Sequence, residues 1–267
     1  MISSVPDILA RIVEHKKAEL AESRSRLPDL ERMAASRTSR RDFATALGPG
    51  SGPRIISEIK KASPSKGLLS KDFHPPSIAR AYQAGGAAAL SVLTDVRFFQ
   101  GSLADMEAAR AAVDIPTLRK DFTLEPFHII EAAAHGADAI LLIAALLTET
   151  ELRDLREQAE SLHLAALVEV HNDSELDRAL ASGARIVGVN NRDLHTFQVR
   201  LETSLRLAER MPDYIIRVSE SGISSPADIE LLTKSGYTAF LVGEHFMRSG
   251  NPTAALQELL NRTGGQP

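Results

Sequence analysis

Four short stretches of this chain resemble one another: "GGAAALSVL" from Gly85, "HGADAILLI" from His135, "SGARIVGVN" from Ser182 and "SGYTAFLVG" from Ser235. In each, a glycine and one or two small or polar residues precede an apolar, strand-like run. The aligned glycines, Gly86, Gly136, Gly183 and Gly236, recur at spacings of 50, 47 and 53 residues. Each closes a helical pattern, as in "SELDRALASG", where a glycine serves as the helix C-cap. Further strands lie between the repeats: "RIISEIK", "IPTLRKDF", "AALVEV" and "YIIRVSES". Eight strands alternating with helices imply a parallel sheet with right-handed crossovers.

A chain of 267 residues holds eight such units comfortably, since a (β/α)8 barrel takes about 250 residues. The alternative is a doubly wound open sheet. It does not naturally give four equivalent quarters, and no GxGxxG follows the first strand. The expected architecture is therefore an α/β (β/α)8 barrel forming a single domain over residues 1–267. Residues 1–50 form an N-terminal helical extension, with "PDILARIVEHKKAELAESR" and "RRDFATAL" predicted as two helices and "GPGSGP" as the joint. Their apolar stripes, Ile8 with Ile12 and Phe43 with Leu47, predict packing onto the barrel.

Barrels of this kind carry their sites at the C-terminal ends of the strands. Ionisable residues collect there. Strand one ends with Glu58 and Lys60, strand three with Lys120, and strand five with Glu169. Strand six ends in Asn190 and runs into Arg192; strand seven ends in Glu220, Ser221 and Gly222; strand eight ends in Gly243 and Glu244. Side chains alternate along a strand, so Glu58 and Lys60 share the face of Ile56, Glu169 that of Leu167, and Glu220 that of Val218. In strand three, Arg119 and Lys120 take opposite faces, and alternation does not choose between them. A single charge at a strand end is ordinarily solvated or salt-bridged, and Glu58 with Lys60 reads equally well as an ion pair plugging the barrel. Five of eight strands with such residues at the same end point instead to a site. The glycines of "SESG" and "LVGE" fall after strands seven and eight, where this fold commonly holds phosphate.

Composition narrows the partners. A net charge of −4 and a pI near 6.1 argue against nucleic acid, whose binders are usually basic. No apolar run approaches the roughly 20 residues of a membrane span, and the start of the chain mixes acids with bases, unlike a secretory signal. With no cysteine, disulfides, thiolate metal sites and a cysteine nucleophile are all excluded. The eight histidines show no H-x-H or H-x-x-x-H pair, so no zinc site is expected. His171 and His245 read as solvated rim residues. A cytoplasmic protein whose partners are small molecules or itself is the expectation, and the sequence leaves its oligomeric state, monomer included, open.

The motifs "SEIKKASPSKG", "SVLTDVRFFQGS", "LRKDF", "LVEVHN", "GVNNRDL", "SESGI" and "LVGEHFMR" closely resemble the indole-3-glycerol-phosphate synthase family, in order from about Asp7 to Met247. The resemblance implies a barrel enzyme of tryptophan biosynthesis that needs neither metal nor organic cofactor. Its phosphorylated substrate is 1-(2-carboxyphenylamino)-1-deoxyribulose 5-phosphate, which loses carbon dioxide and water as a pyrrole ring closes. By the same resemblance Glu58, Lys60, Lys120, Glu169 and Asn190 are catalytic, with Lys120 the general acid. Ser63, Phe99, Phe122, Arg192, Glu220, Ser221, Gly222, Gly243 and Glu244 meet the substrate. Phe99 and Phe122 flank its aromatic ring, Ser221, Gly222 and Gly243 bind phosphate, and Glu220 orients a lysine. Some family members have serine in place of Glu244, so that residue is expected to contribute only its backbone N–H. Neighbouring cations and burial are expected to lower the Lys120 pKa toward neutrality.

The same family places Ser63 in a mobile loop. Here the first βα connection runs from Lys61 to Pro76, long beside the usual loop of about 2–6 residues, and is expected to close as a lid. Its rival is a rigid loop pinned by Leu68 and Leu69. Two rival functions stand beside the family reading. Phosphoribosylanthranilate isomerase shares the fold but uses a cysteine that this chain lacks. A non-catalytic sensor of phosphorylated metabolites would not need Lys120 and Glu169 aimed at one site.

Overall fold

The computed structural model describes residues 7–50, 52–64, 66–70 and 72–261. Pro6 of the first expected helix, and Ser65 and Lys71 of the long first loop, lie outside the described residues.

Among its described residues the extension holds three α-helices rather than two helices: α1 (Asp7–Ser23), α2 (Leu27–Ser36) and α3 (Phe43–Leu47). The unforeseen α2 has only two buried residues, Leu30 and Ala34, so its sequence carries a short apolar stripe. The eight expected strands are β1 (Arg54–Ile59), β2 (Ala89–Leu93), β3 (Thr117–Lys120), β4 (Ala139–Ile143), β5 (Ala165–Val170), β6 (Ile186–Asn190), β7 (Ile216–Glu220) and β8 (Ala239–Val242). Each pairs in parallel with its neighbours, and β8 closes on β1 with Ala239 opposite Arg54. The outer helices are α4 (Pro75–Gly85), α5 (Val96–Phe99), α6 (Leu103–Ala111), α7 (Pro126–Ala134), α8 (Glu149–Ser161), α9 (Asp173–Ala181), α10 (Glu202–Ala208), α11 (Pro226–Lys234), α12 (Glu244–Arg248) and α13 (Pro252–Leu259). The four repeat glycines all adopt positive φ, from 83° to 100°, at helix ends. That conformation suits a residue without Cβ.

Two cores follow from strand alternation. Outward residues such as Ile55, Ile59, Leu90, Ile140 and Val168 pack against the helices. The barrel interior is built in layers contributed by alternate strands. Ala89, Ala139, Ile186 and Ala239 come from the even strands, and Ile56, Leu118, Leu167 and Val218 from the odd ones. Two residues further along the odd strands stand Glu58, Lys120, Glu169 and Glu220. The period of two that fills the interior with aliphatic groups thus ends it in a charged layer.

The extension covers both ends of this interior. Phe43 and Leu47 of α3 join the interior core and are almost fully buried. Each contributes about 1.5–3 kcal/mol by that burial. Around them Asp138 gathers Arg37 and Arg110 and accepts the backbone N–H of Thr117. At the other end, Leu9 and Ile12 of α1 reach the mouth beside Phe122. Lys16, one turn on, is buried and ion-paired to Asp95 (3.2 Å) and Asp121 (3.0 Å). Burial opposes its charge, but Asp121 and Asp95 outweigh it and hold the Lys16 pKa above the usual lysine value. Of the adjacent Lys16 and Lys17, only the fold shows which one is buried.

Candidate active site

β3 resolves the choice between its two cations. Lys120 continues the inward face of Leu118. Arg119 points outward, where Asp121 (3.1 Å), Glu131 (2.8 Å), Thr94 and the His128 carbonyl satisfy its guanidinium. From β3, Lys120 Nζ reaches Glu169 Oε2 on β5 at 2.8 Å and Glu220 Oε2 on β7 at 2.9 Å. Strands three and seven are opposite members of the barrel, so the lysine spans its axis. Glu169 Oε1 also accepts from Asn190 Nδ2 at 3.3 Å, and Asn190 Oδ1 accepts from Ser221 Oγ at 2.9 Å and the Arg192 backbone N–H at 3.0 Å. Just beyond β1, Lys60 pairs with Glu58.

The electrostatics overturn one expectation. Lys120 is not pushed toward neutrality. Burial acts in that direction, but the carboxylates of Glu169, Glu220 and Glu58 outweigh it and hold its pKa above the ordinary 10.5. The cations foreseen beside it are not its partners: Lys60 is taken by Glu58. Glu169 is held well below the usual carboxylate range, its burial overcome by Lys120 and His171. Glu220 moves the other way, to about 7, because burial and the Glu169 charge together exceed the help from Lys120. Glu220 Oε1 is buried without a hydrogen-bond partner among the described residues. Gly188 makes room for it, since a Cβ there would overlap that oxygen, and Gly243 likewise leaves room for Glu58 Oε1.

Every residue expected to meet the substrate lines the same cavity, about 250 Å³, at the C-terminal mouth. Phe99 and Phe122 form one apolar wall, their rings 6.2 Å apart and tilted by 39°. Ile8 and Ile12 of α1, which sequence reading assigned only to packing, line it as well, together with Leu9. The Glu244 carboxylate faces Arg248 (3.3 Å) and Arg192 (4.0 Å), so these cations offset its charge. His245 lines the rim as expected. His171 does not match its reading as a solvated histidine. Its side chain, 10% exposed, lies between Glu169 Oε1 (3.3 Å) and Glu175 Oε2 (2.9 Å). The i, i+4 pair His171–Glu175 in "HNDSE" is the signal that could have located it. Over the mouth, Ala62–Ser63 pairs with Gly67–Leu68 in a small hairpin. Leu68 is 51% exposed and does not pin this loop, whereas Leu69 is half-buried and its N–H donates to the Lys61 carbonyl at 2.8 Å.

A closed (β/α)8 barrel whose interior ends in lysines and carboxylates, beside an aromatic wall, defines a barrel enzyme equipped for proton transfer. The crystal structure of KGPDC from Streptococcus mutans has the same fold, with a TM-score of 0.60 at 13% identity over 79% of this chain and 97% of that one. The family model of indole-3-glycerol phosphate synthase matches residues 9–259. The chain is 49% identical to the indole-3-glycerol phosphate synthase of Koribacter versatilis (strain Ellin345), covering 94% of this chain and 98% of that protein. It is 46% identical to that of Polaromonas naphthalenivorans (strain CJ2), covering 95% and 98%. The chain belongs to the indole-3-glycerol phosphate synthase family.

Proposed function

We propose that the mouth converts 1-(2-carboxyphenylamino)-1-deoxyribulose 5-phosphate to indole-3-glycerol phosphate, as a carboxy-lyase of tryptophan biosynthesis. The observation that carries this reading is Lys120, held by two carboxylates on the barrel axis and faced by the Phe99–Phe122 wall. The aromatic ring lies against that wall. Its carboxylate-bearing carbon attacks the ketone carbon, and Lys120 donates a proton to the ketone oxygen. An ammonium with a raised pKa suits this role, because it stays charged until an alkoxide, more basic still, develops beside it. Carbon dioxide leaves and returns its bonding electrons to the ring. Loss of water completes the pyrrole: the hydroxyl leaves with an added proton, and a ring proton is removed. Glu169, which stays ionised, serves as the base, and Glu58 with Lys60, on the opposite strand, serves the departing hydroxyl.

Lys60 and Arg192 attract the substrate's anionic groups. Its phosphate sits at the ends of β7 and β8, on the backbone of Ser221, Gly222 and Gly243. Ser221, Gly222 and Gly243 line the mouth together there. The chain, extension and barrel together, works as one folding unit in the cytoplasm. No nucleic acid takes part. Among the described residues no helix is long and apolar enough to cross a membrane. Adding the substrate to the purified protein should produce indole fluorescence without added metal or cofactor. A binding isotherm with no fluorescent product would favour the sensor reading instead.

The hairpin loop closes over the bound substrate, excluding water while carbon dioxide leaves and bringing Ser63 onto its charged groups. Amide exchange over residues 62–70 should be fast in the free protein and slow with a product analogue. Strong protection in the free protein, unchanged on binding, would discard the lid.

A further inference from the structure

We propose that His171 is a positioning residue for this reaction: an imidazolium, outside the substrate cavity, that holds Glu169 ionised and oriented toward Lys120. The inference rests on the role of Glu169 given above. Its basis is where the ring stands. Nδ1 lies 2.9 Å from Glu175 Oε2, and Nε2 lies 3.3 Å from Glu169 Oε1. An ionised carboxylate only accepts hydrogen bonds. A neutral imidazole would turn one lone pair toward an anion, whichever tautomer it chose, so two flanking carboxylates select the doubly protonated ring. Glu175 is itself fixed: it accepts the His171 backbone N–H at 2.8 Å and Asn172 Nδ2 at 2.7 Å. The ring is therefore anchored on α9 and leans on the base of β5.

The Nε2 contact is close enough for ion pairing but not aligned as a full hydrogen bond. Charge, more than a directed bond, links the two groups. Burial disfavours the imidazolium, but Glu169 and Glu175 raise its pKa to about 10. The other titratable groups around it are Lys120, reaching Glu169 from β3, and those lining the cavity it faces: Arg178 on α9, Arg192, Asp193, His195 and Arg200 beyond β6, and Arg206 on α10. Arg178 donates to the Ala144 carbonyl and Arg206 is paired with Asp173. Neither replaces His171 at Glu169. The ring faces a second, polar cavity of about 400 Å³ that Glu169 does not line, so it acts on the site from behind.

The experiment compares His171→Gln with His171→Lys by steady-state kinetics between pH 5.5 and 9.5, beside the parent enzyme. The glutamine variant should lose at least tenfold in kcat at pH 6 with KM changed less than threefold. Its deficit should shrink toward pH 9.5, as the parent's own imidazole begins to lose its proton. The lysine variant, which restores a cation, should recover most of the loss at pH 6. A glutamine variant with parental kcat and pH profile would overturn the proposal. So would equal, pH-independent losses in both variants. Nitrogen NMR of the parent ring gives an arm independent of turnover and of variant folding: both ring nitrogens of His171 should carry protons at pH 8. A neutral ring there overturns the inference even if the enzyme turns over its substrate as proposed. Absence of turnover by the parent, with a charged ring, would instead count against the function.

Discussion

Lys120→Ala should lower turnover by about a thousandfold or more, roughly 4 kcal/mol of transition-state stabilisation, and leave substrate affinity within about tenfold. The selectivity for turnover follows from the position of the ammonium. It stands on the barrel axis between Glu169 and Glu220, where the new oxyanion forms, while Arg192 and Lys60 remain to attract the substrate's charges. The truncation also strands two buried carboxylates. Glu169 keeps His171 beside it, whereas Glu220, already raised to about 7, responds by taking up a proton, which spares the fold part of the several kcal/mol that an uncompensated buried charge would cost. Single-turnover measurements with substrate binding followed separately test this. Equal losses in binding and turnover would reduce Lys120 to an anion clamp. Because its pKa lies above the ordinary 10.5, Lys120 should contribute no loss of activity on the basic side below about pH 10.

Glu169→Gln should cost about 10²–10⁴-fold in kcat, the usual worth of a positioned general base, with KM little altered. The amide keeps the size of the carboxyl and an acceptor oxygen, so packing beside Asn190 survives. Its second effect is on Glu220. Removing the neighbouring charge, and leaving Lys120 to serve one carboxylate, should move the Glu220 titration down from about 7. Carbon NMR of labelled glutamate reads that shift directly. An unmoved titration would mean that the two carboxylates do not share the lysine. The linkage has a definite sign. In the parent, folded Glu220 keeps a proton between about 4.5 and 7 that the unfolded chain has lost, so this group reduces stability as pH rises through that window. The acidic limb of the parent's activity should not come from Glu169, which is ionised throughout.

The sequence by itself determined the alternation. "RIISEI" places Glu58 on the face of Ile56, "ALVE" places Glu169 with Leu167, and "RVSE" places Glu220 with Val218, because a strand repeats every two residues. With glycine-closed repeats every 47 to 53 residues, that period is enough to say that charges crowd one end of a barrel. The two faces of "TLRK" differ in nothing local, so the choice between Arg119 and Lys120 belongs to the tertiary structure. There, Glu131 and Thr94 await the outer cation and Glu169 and Glu220 the inner one. The pairing is likewise tertiary. Lys120 meets partners 49 and 100 residues away only because the sheet closes and brings opposite strands within a side chain's reach. The directions of the pKa shifts follow from those distances: the sequence counts its charges, but attraction and desolvation depend on which of them share a dry interior. For the same reason His171 and Lys16, ordinary polar residues in the sequence, acquire their roles only when β5 meets α9 and when α1 lies down on the mouth.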